Sequence, residues 1–256
     1  GCQSMAVRLL PSGDGALTIE FGSAIDPATS AAVASLDQAV ARLAGAGSLP
    51  GLIEAVPTFR SLTLLYDPLL TDQASLAAIL DPLLREGPAE LPGAGRRWCL
   101  PVCYEGEAGP DLEETARAAE LTVAEVVEQH CGTEYRVLML GFLPGFPFMG
   151  EVGESLRLPR RQEPRLRVPA GSVAIAAGLT AIYPWESPGG WHLLGLCAAP
   201  LFDPRRPDPA LLAVGDQVRF TPVSSAEHVR LRAAACPVLR RRAARRRLRV
   251  GDRDAL

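Results

Sequence analysis

At 256 residues the chain is long enough for one large domain or two ordinary ones, and 48% hydrophobic with 21% charged residues excludes a disordered polymer. No apolar run reaches the roughly 18–20 residues of a membrane-spanning helix, which predicts a protein without membrane partners. The net charge is −3 and all 26 basic residues are arginine, so the chain has no lysine for a Schiff base, a phosphate-binding P-loop or a biotin attachment.

Gly1-Cys2-Gln3-Ser4-Met5 is not a basic segment followed by an apolar one. A signal peptide is therefore not expected, Met5 reads as the natural start, and the location read from this is cytoplasmic. Cys99 and Cys103 are four apart and the other four cysteines are scattered, so with three histidines the chain lacks the two close pairs or the Cys/His cluster of a zinc site. Reduced, buried thiols and no metal are expected.

In chain order, Leu17, Ile19 and Phe21 alternate with polar or small neighbours as in a half-buried strand. Asp26-Pro27 then opens a helix, with Val33, Leu36, Val40 and Leu43 on one stripe and Gly45 and Gly47 at its end. Two strands follow, Leu52–Val56 and Leu62–Tyr66, around Pro57-Thr58, and a second helix carries Leu76, Ile79, Leu80, Leu83 and Leu84. This order, closed by one more strand, is that of a ferredoxin-like α/β sandwich over residues 5–90. Gly87 to Gly95 reads as a linker.

A second unit is expected over residues 96–225. Trp98–Tyr104 is a strand, and Asp111 with Glu114 and Thr122 with Glu125 each resemble the capping box that starts a helix. Beyond Gly132, short apolar stretches at Arg136–Leu140, Ser172–Ala176 and Val218–Phe220 are separated by Pro- and Gly-rich turns, the texture of a barrel or sandwich. Residues 237–256 form an Arg-rich tail: eight arginines against Asp252 and Asp254 give it +6, leaving −9 on the rest. With no aromatic residue for stacking and an acidic body, nucleic acid is not the expected partner; an exposed helix or a frayed end is.

Four clusters combine the groups an anion site needs. They are Gly141-Phe142-Leu143-Pro144-Gly145-Phe146; Pro159-Arg160-Arg161 through Pro164-Arg165; Val168-Pro169-Ala170-Gly171-Ser172-Val173; and Ile182-Tyr183-Pro184 with Ser187-Pro188-Gly189-Gly190-Trp191. Arginines, hydroxyls, glycine-flanked N–H groups and rigid apolar walls suit a carboxylate or phosphate. Tight barrel turns with aromatic plugs are the alternative reading. Ser172 lacks the flanking pattern of an activated nucleophile, and His130 and His192 are candidate bases or satisfied structural histidines.

Taken with Tyr135-Arg136-Val137, Leu201-Phe202-Asp203, Gly215-Asp216-Gln217-Val218-Arg219-Phe220, Gly13-Asp14-Gly15-Ala16-Leu17 and Val56-Pro57-Thr58-Phe59-Arg60-Ser61-Leu62, these runs resemble the allophanate hydrolase subunit 1 family, that of carboxyltransferase subdomains C and D, over residues 7 to 223. The resemblance implies an α+β chain with an N-terminal ferredoxin-like domain and a C-terminal cyclophilin-like β barrel. That family includes the B-type component of ATP-dependent 5-oxoprolinase, a kinase inhibitor of sporulating bacilli and parts of urea carboxylase. By that likeness the chain would be a hydrolase subunit, inactive alone. It would use ATP with a C-type subunit to activate 5-oxoproline for ring opening to glutamate by an A-type subunit. A regulator of a sensor histidine kinase and a carboxyltransferase-like domain are the other activities the resemblance allows.

The four clusters, read with this resemblance, give candidate roles. Arg160, Arg165, Ser172 and His130 would be catalytic. Phe142, Pro144, Gly145, Phe146, Gly171, Tyr183, Ser187, Pro188, Gly189, Gly190 and Trp191 would bind substrate or nucleotide. Arg165, beside Pro164, is expected to be free to meet an anion, and Gly189 to need a turn with positive φ. Two departures stand out: Leu179-Thr180-Ala181 where the family has Gln-Thr-Gly, and Gly195-Leu196-Cys197-Ala198 where it has Gly-Arg-Thr-Pro. These remove an amide and a fixed charge from a polar site.

Overall fold

The computed structural model of the chain describes residues 7–22, 27–86, 95–234 and 239–240. The linker at 87–94, Asp26 and most of the Arg-rich tail lie outside them. The first unit is a four-stranded antiparallel sheet with two helices on one face. Strands β1 (Arg8–Pro11) and β2 (Ala16–Glu20) form a hairpin; α1 (Pro27–Gly45), β3 (Leu52–Pro57), β4 (Ser61–Tyr66) and α2 (Gln73–Glu86) follow, in sheet order β1-β2-β4-β3. Alternation sends Leu17, Ile19, Leu62, Leu64 and Tyr66 to the helix-covered face, where they meet Val33, Leu36 and Val40 of α1 and Leu76 and Leu80 of α2. Each such side chain contributes about 1.5–3 kcal/mol of burial.

One expectation is corrected here. The strand beside β2 does not come after α2 but from the N-terminal side, as β1. Arg8-Leu9-Leu10-Pro11 is an edge strand that is mostly exposed. It therefore carries no apolar alternation to read, and its terminal proline is tolerated there.

The second unit is a closed barrel. Its elements are β5 (Arg97–Cys103), α3 (Leu112–Ala118), α4 (Val123–Gly132), β6 (Tyr135–Leu140), β7 (Pro147–Gly150), β8 (Arg165–Val168), β9 (Ser172–Ala176), β10 (Leu179–Ile182), β11 (Ser187–Gly189), β12 (His192–Cys197), β13 (Gln217–Val223) and α5 (Ser225–Ala233). Going round, β12, β9, β10, β7, β6, β13 and β5 pair in turn and β5 returns to β12. Only β13–β5 is parallel. Strands β8 and β11 form a separate ribbon.

Every residue of β9 is buried, because both of its faces are covered. Val173 and Ile175 point into the core with Leu100, Tyr135, Met149 and Phe220. Ala174 and Ala176 lie in a second cluster under Phe146, Phe148, Tyr183 and Trp191. Alanine leaves no bulk above the sheet, so the aromatic rings can lie directly on it. Two residues of the tail, Leu239–Arg240, form β14 against Cys99 and Trp98 of β5, which corrects the expectation of a helix or loose end at this point.

Candidate functional site

The candidate residues separate into three surroundings. His130, on α4, is fully buried in the barrel core. Its Nδ1 lies 2.8 Å from the Tyr104 hydroxyl and its Nε2 3.0 Å from Thr180 Oγ1. The Thr180 hydroxyl donates to the Ala174 carbonyl at 3.1 Å. With that proton committed, His130 Nε2–H must donate to Thr180 and Nδ1 must accept from Tyr104. The ring also stacks on Phe220 at 4.6 Å and 9°. Burial drives its pKa down to about 3, so the imidazole is neutral and saturated. The expectation of a base at the site is corrected: His130 is a core residue with no open nitrogen. His192 bonds the Pro159 carbonyl through Nε2 at 2.9 Å, while its buried Nδ1 has no partner among the described residues.

Arg165 is not free either. Its guanidinium forks onto the Asp111 carboxylate, Nη1 to Oδ2 at 2.8 Å and Nη2 to Oδ1 at 2.6 Å. Arg161 Nη1 adds a bond to Asp111 Oδ1 at 3.0 Å and one to Glu114 at 2.8 Å, and the Leu193 amide donates to Asp111 Oδ2 at 2.7 Å. Asp111, read in the sequence as a helix cap, makes no side-chain cap bond on α3. Thr122, with the same local signature, does form a reciprocal capping box with Glu125. Nothing local separates the two; the partners that reassign Asp111 are distant arginines.

Arg160 immediately precedes these clamped neighbours and is exposed. Of the three arginines in this run it is the one without an ion pair among the described residues. It lines a cavity of about 210 Å³ with Phe59, Phe148, Trp191, Leu179 and the paired Glu151 and Arg157. Phe148 meets Phe59 edge-on at 5.4 Å and Trp191 at 5.7 Å, so three rings from both units wall the space. Leu179, one of the two departures, puts an apolar side chain in this wall. Phe59 is missing from the site residues expected from sequence, although its Pro-Thr-Phe-Arg-Ser run signals it.

Gly171 and Tyr183 lie at the other end of β9. A cavity of about 530 Å³ there is lined by Gly171, Tyr183, Trp185, the 197–206 segment and Arg232. It contains the second departure, Cys197. Gly171 (φ +91°) could not carry a Cβ, which would sit 2.9 Å from the Cys197 carbonyl oxygen. Beside it, Gly145 (φ +73°) packs on Phe202, and Phe142 is exposed in the left-handed region at φ +68°. Pro144 lies in the same loop, and Phe146 is buried against Tyr183 at 4.9 Å. Ser172 is buried at the start of β9, its carbonyl accepting the Tyr183 amide at 2.9 Å. Ser187 is buried with its hydroxyl unpartnered, and Pro188 beside it is exposed.

Gly189 needs no positive φ. A Cβ there would come 2.2 Å from the Tyr183 hydroxyl, so its constraint is steric. Gly190 has ordinary room, and its carbonyl accepts the Arg161 amide at 2.8 Å. Burial raises the Tyr183 pKa, with Arg160 and Arg165 pulling the other way. Among the described residues no three His, Cys, Asp or Glu side chains converge as metal ligands, and no helix is long and apolar enough to cross a membrane.

Comparison with known proteins gives this arrangement a family. The B component of 5-oxoprolinase from Bacillus subtilis (strain 168) is 39% identical over 226 residues, 84% of this chain and 92% of that protein. Its namesake in Escherichia coli O157:H7 is 44% identical over 179 residues, 68% and 79% of the two chains. Among solved structures, TTHA0988 is similar with a TM-score of 0.71 at 40% identity; the match covers 83% of this chain but 40% of the longer TTHA0988. The Kluyveromyces lactis urea amidolyase shares the fold alone, at 19% identity and a TM-score of 0.73 over 92% of this chain and 16% of that one. The carboxyltransferase domain family, subdomains C and D, matches residues 7–212, and the chain belongs to that family.

Proposed function

We propose that this chain is the B-type component of a cytoplasmic 5-oxoprolinase complex. With a C-type subunit it uses ATP to activate 5-oxoproline, and an A-type subunit completes ring opening to glutamate. In this reading residues 5–90 are a ferredoxin-like sandwich, its fourth strand supplied by β1, and residues 96–225 are a cyclophilin-like barrel.

The observation that carries the reading is the unpaired Arg160 at a 210 Å³ cavity walled by Phe59, Phe148 and Trp191. A small cyclic amide with one carboxylate needs one cation and apolar walls for its ring methylenes. Arg160 binds the carboxylate. The rings exclude water from the amide, and the Gly189-Gly190 backbone holds the segment in place. ATP supplies the phosphoryl group that activates the amide oxygen. The chain has no lysine to cradle a triphosphate, so the nucleotide is held with the partner and the chain is inactive alone. No observation on the molecule favours the kinase-regulator or carboxyltransferase reading.

The test is reconstitution. ATP-dependent glutamate release from 5-oxoproline is measured with this chain and its A- and C-type partners, and with each omitted. Release should require all three, and Arg160→Ala should raise KM for 5-oxoproline about ten- to hundred-fold through loss of a charged hydrogen bond. A complete complex that releases no glutamate would remove the reading.

A further inference from the structure

We propose that Asp111 is a positioning residue that holds Arg160 at the mouth of the aromatic cavity; this rests on the substrate reading above. The carboxylate is almost wholly buried, yet it is no helix cap. It gathers four donors: both Nη atoms of Arg165, one of Arg161 and the Leu193 amide. Both of these arginines follow Arg160 in one short run. The run is tied down further by the Arg161 amide on the Gly190 carbonyl at 2.8 Å and by His192 Nε2 against the Pro159 carbonyl at 2.9 Å. Leu193 and Gly190 bracket Trp191, the wall of the same cavity. Asp111 thus connects, through one carboxylate, the run that carries Arg160 and strand β12, which begins directly after Trp191.

The charges explain why Arg160 stays available. Asp111 and Glu114 set two negative charges against the two positive ones of Arg161 and Arg165, the Glu163 carboxylate also acts on Arg161, and both oxygens of Asp111 are occupied. Arg160 finds no free oxygen on Asp111, and its backbone is held on both sides, at the Pro159 carbonyl and the Arg161 amide. Preorganising a cation in this way spares the ligand the cost of ordering it. Asp111→Asn leaves two guanidinium groups facing a neutral amide whose NH₂ also points at donors. The 159–165 run should then loosen and Arg160 should leave the cavity.

The experiment compares KM, kcat and melting temperature in the reconstituted complex for Asp111→Asn, Arg165→Lys, Arg160→Ala and the Asp111→Asn/Arg160→Ala double variant. Arg165→Lys keeps the charge and loses the fork, so it tests the clamp even if Asp111→Asn fails to fold. The expected result is a KM for 5-oxoproline raised about ten-fold by Asp111→Asn and several-fold by Arg165→Lys, with kcat within about two-fold. In the Arg160→Ala background, Asp111→Asn should add less than about two-fold, because its effect passes through Arg160. If Arg160→Ala raises KM while Asp111→Asn and Arg165→Lys change only the melting temperature, the clamp is structural and the proposal fails while the substrate reading stands. Equal, additive KM effects in both backgrounds also overturn it. An unchanged KM in Arg160→Ala overturns the substrate reading and this inference with it.

Discussion

Two polar places in the barrel unit look alike in sequence and differ in state. His130 sits in the barrel interior with both ring nitrogens bonded and a phenyl ring on its face. Arg160 sits over an outer cavity with no ion pair, although its neighbours Arg161 and Arg165 are both paired with Asp111. A saturated polar group stabilises one structure and offers nothing to a ligand. An unsaturated one held beside apolar rings is ready to bind. Between these two side chains, saturation separates a group closed to ligands from one open to them.

Removing the saturated side should cost most. His130→Ala empties a ring-sized space and strands the Tyr104 hydroxyl proton, while Thr180 keeps its bond to the Ala174 carbonyl, a loss of about 3–5 kcal/mol. Denaturant unfolding of the isolated chain measures it; a change below about 1 kcal/mol would mean the histidine does not hold the core. The same residue sets a pH dependence. In the unfolded chain the imidazole protonates near 6.5, and in the barrel it stays neutral down to about 3. The unfolded state therefore binds the extra proton in that window. Stability should fall as pH drops below about 6.5, by up to about 1.4 kcal/mol per unit, and this component should vanish in a His130→Phe variant.

Arg165→Ala sharpens the comparison from the surface side. It leaves Asp111 buried with only Arg161 and the Leu193 amide, so about 2–3 kcal/mol of stability should be lost. An unchanged melting temperature would return Arg165 to the free-anion role. Gly189→Ala should cost about 1–3 kcal/mol by pressing on the Tyr183 hydroxyl, and Tyr183→Phe should relieve part of it. A Gly189→Ala chain as stable as the parent would show that the ring can move aside. Smallest of all, Arg160→Ala should shift stability by less than about 0.5 kcal/mol, as an exposed residue without partners does. A loss above about 1 kcal/mol would show that Arg160 is structural and erase the distinction.

The sequence by itself determined what depends on near neighbours along the chain. The stripe Val33, Leu36, Val40 specified α1, the alternation in Leu17 and Ile19 specified β2, and the Thr122–Glu125 box started α4, because helical and strand geometry repeat within a few residues. The ordered motifs also identified the family. Strand β1 escaped because an exposed edge leaves no apolar pattern. The site was legible as a set of residues but not as an arrangement. The sequence points to Gly189 for the wrong cause, since its limit is a hydroxyl reached through the fold and not its own φ. Which arginine is free was decided by Asp111, 54 positions from Arg165 in the chain. Charge neutralisation acts through distances of a few ångströms in space, and only the closed barrel brings that carboxylate, those arginines and the Leu193 amide to one point.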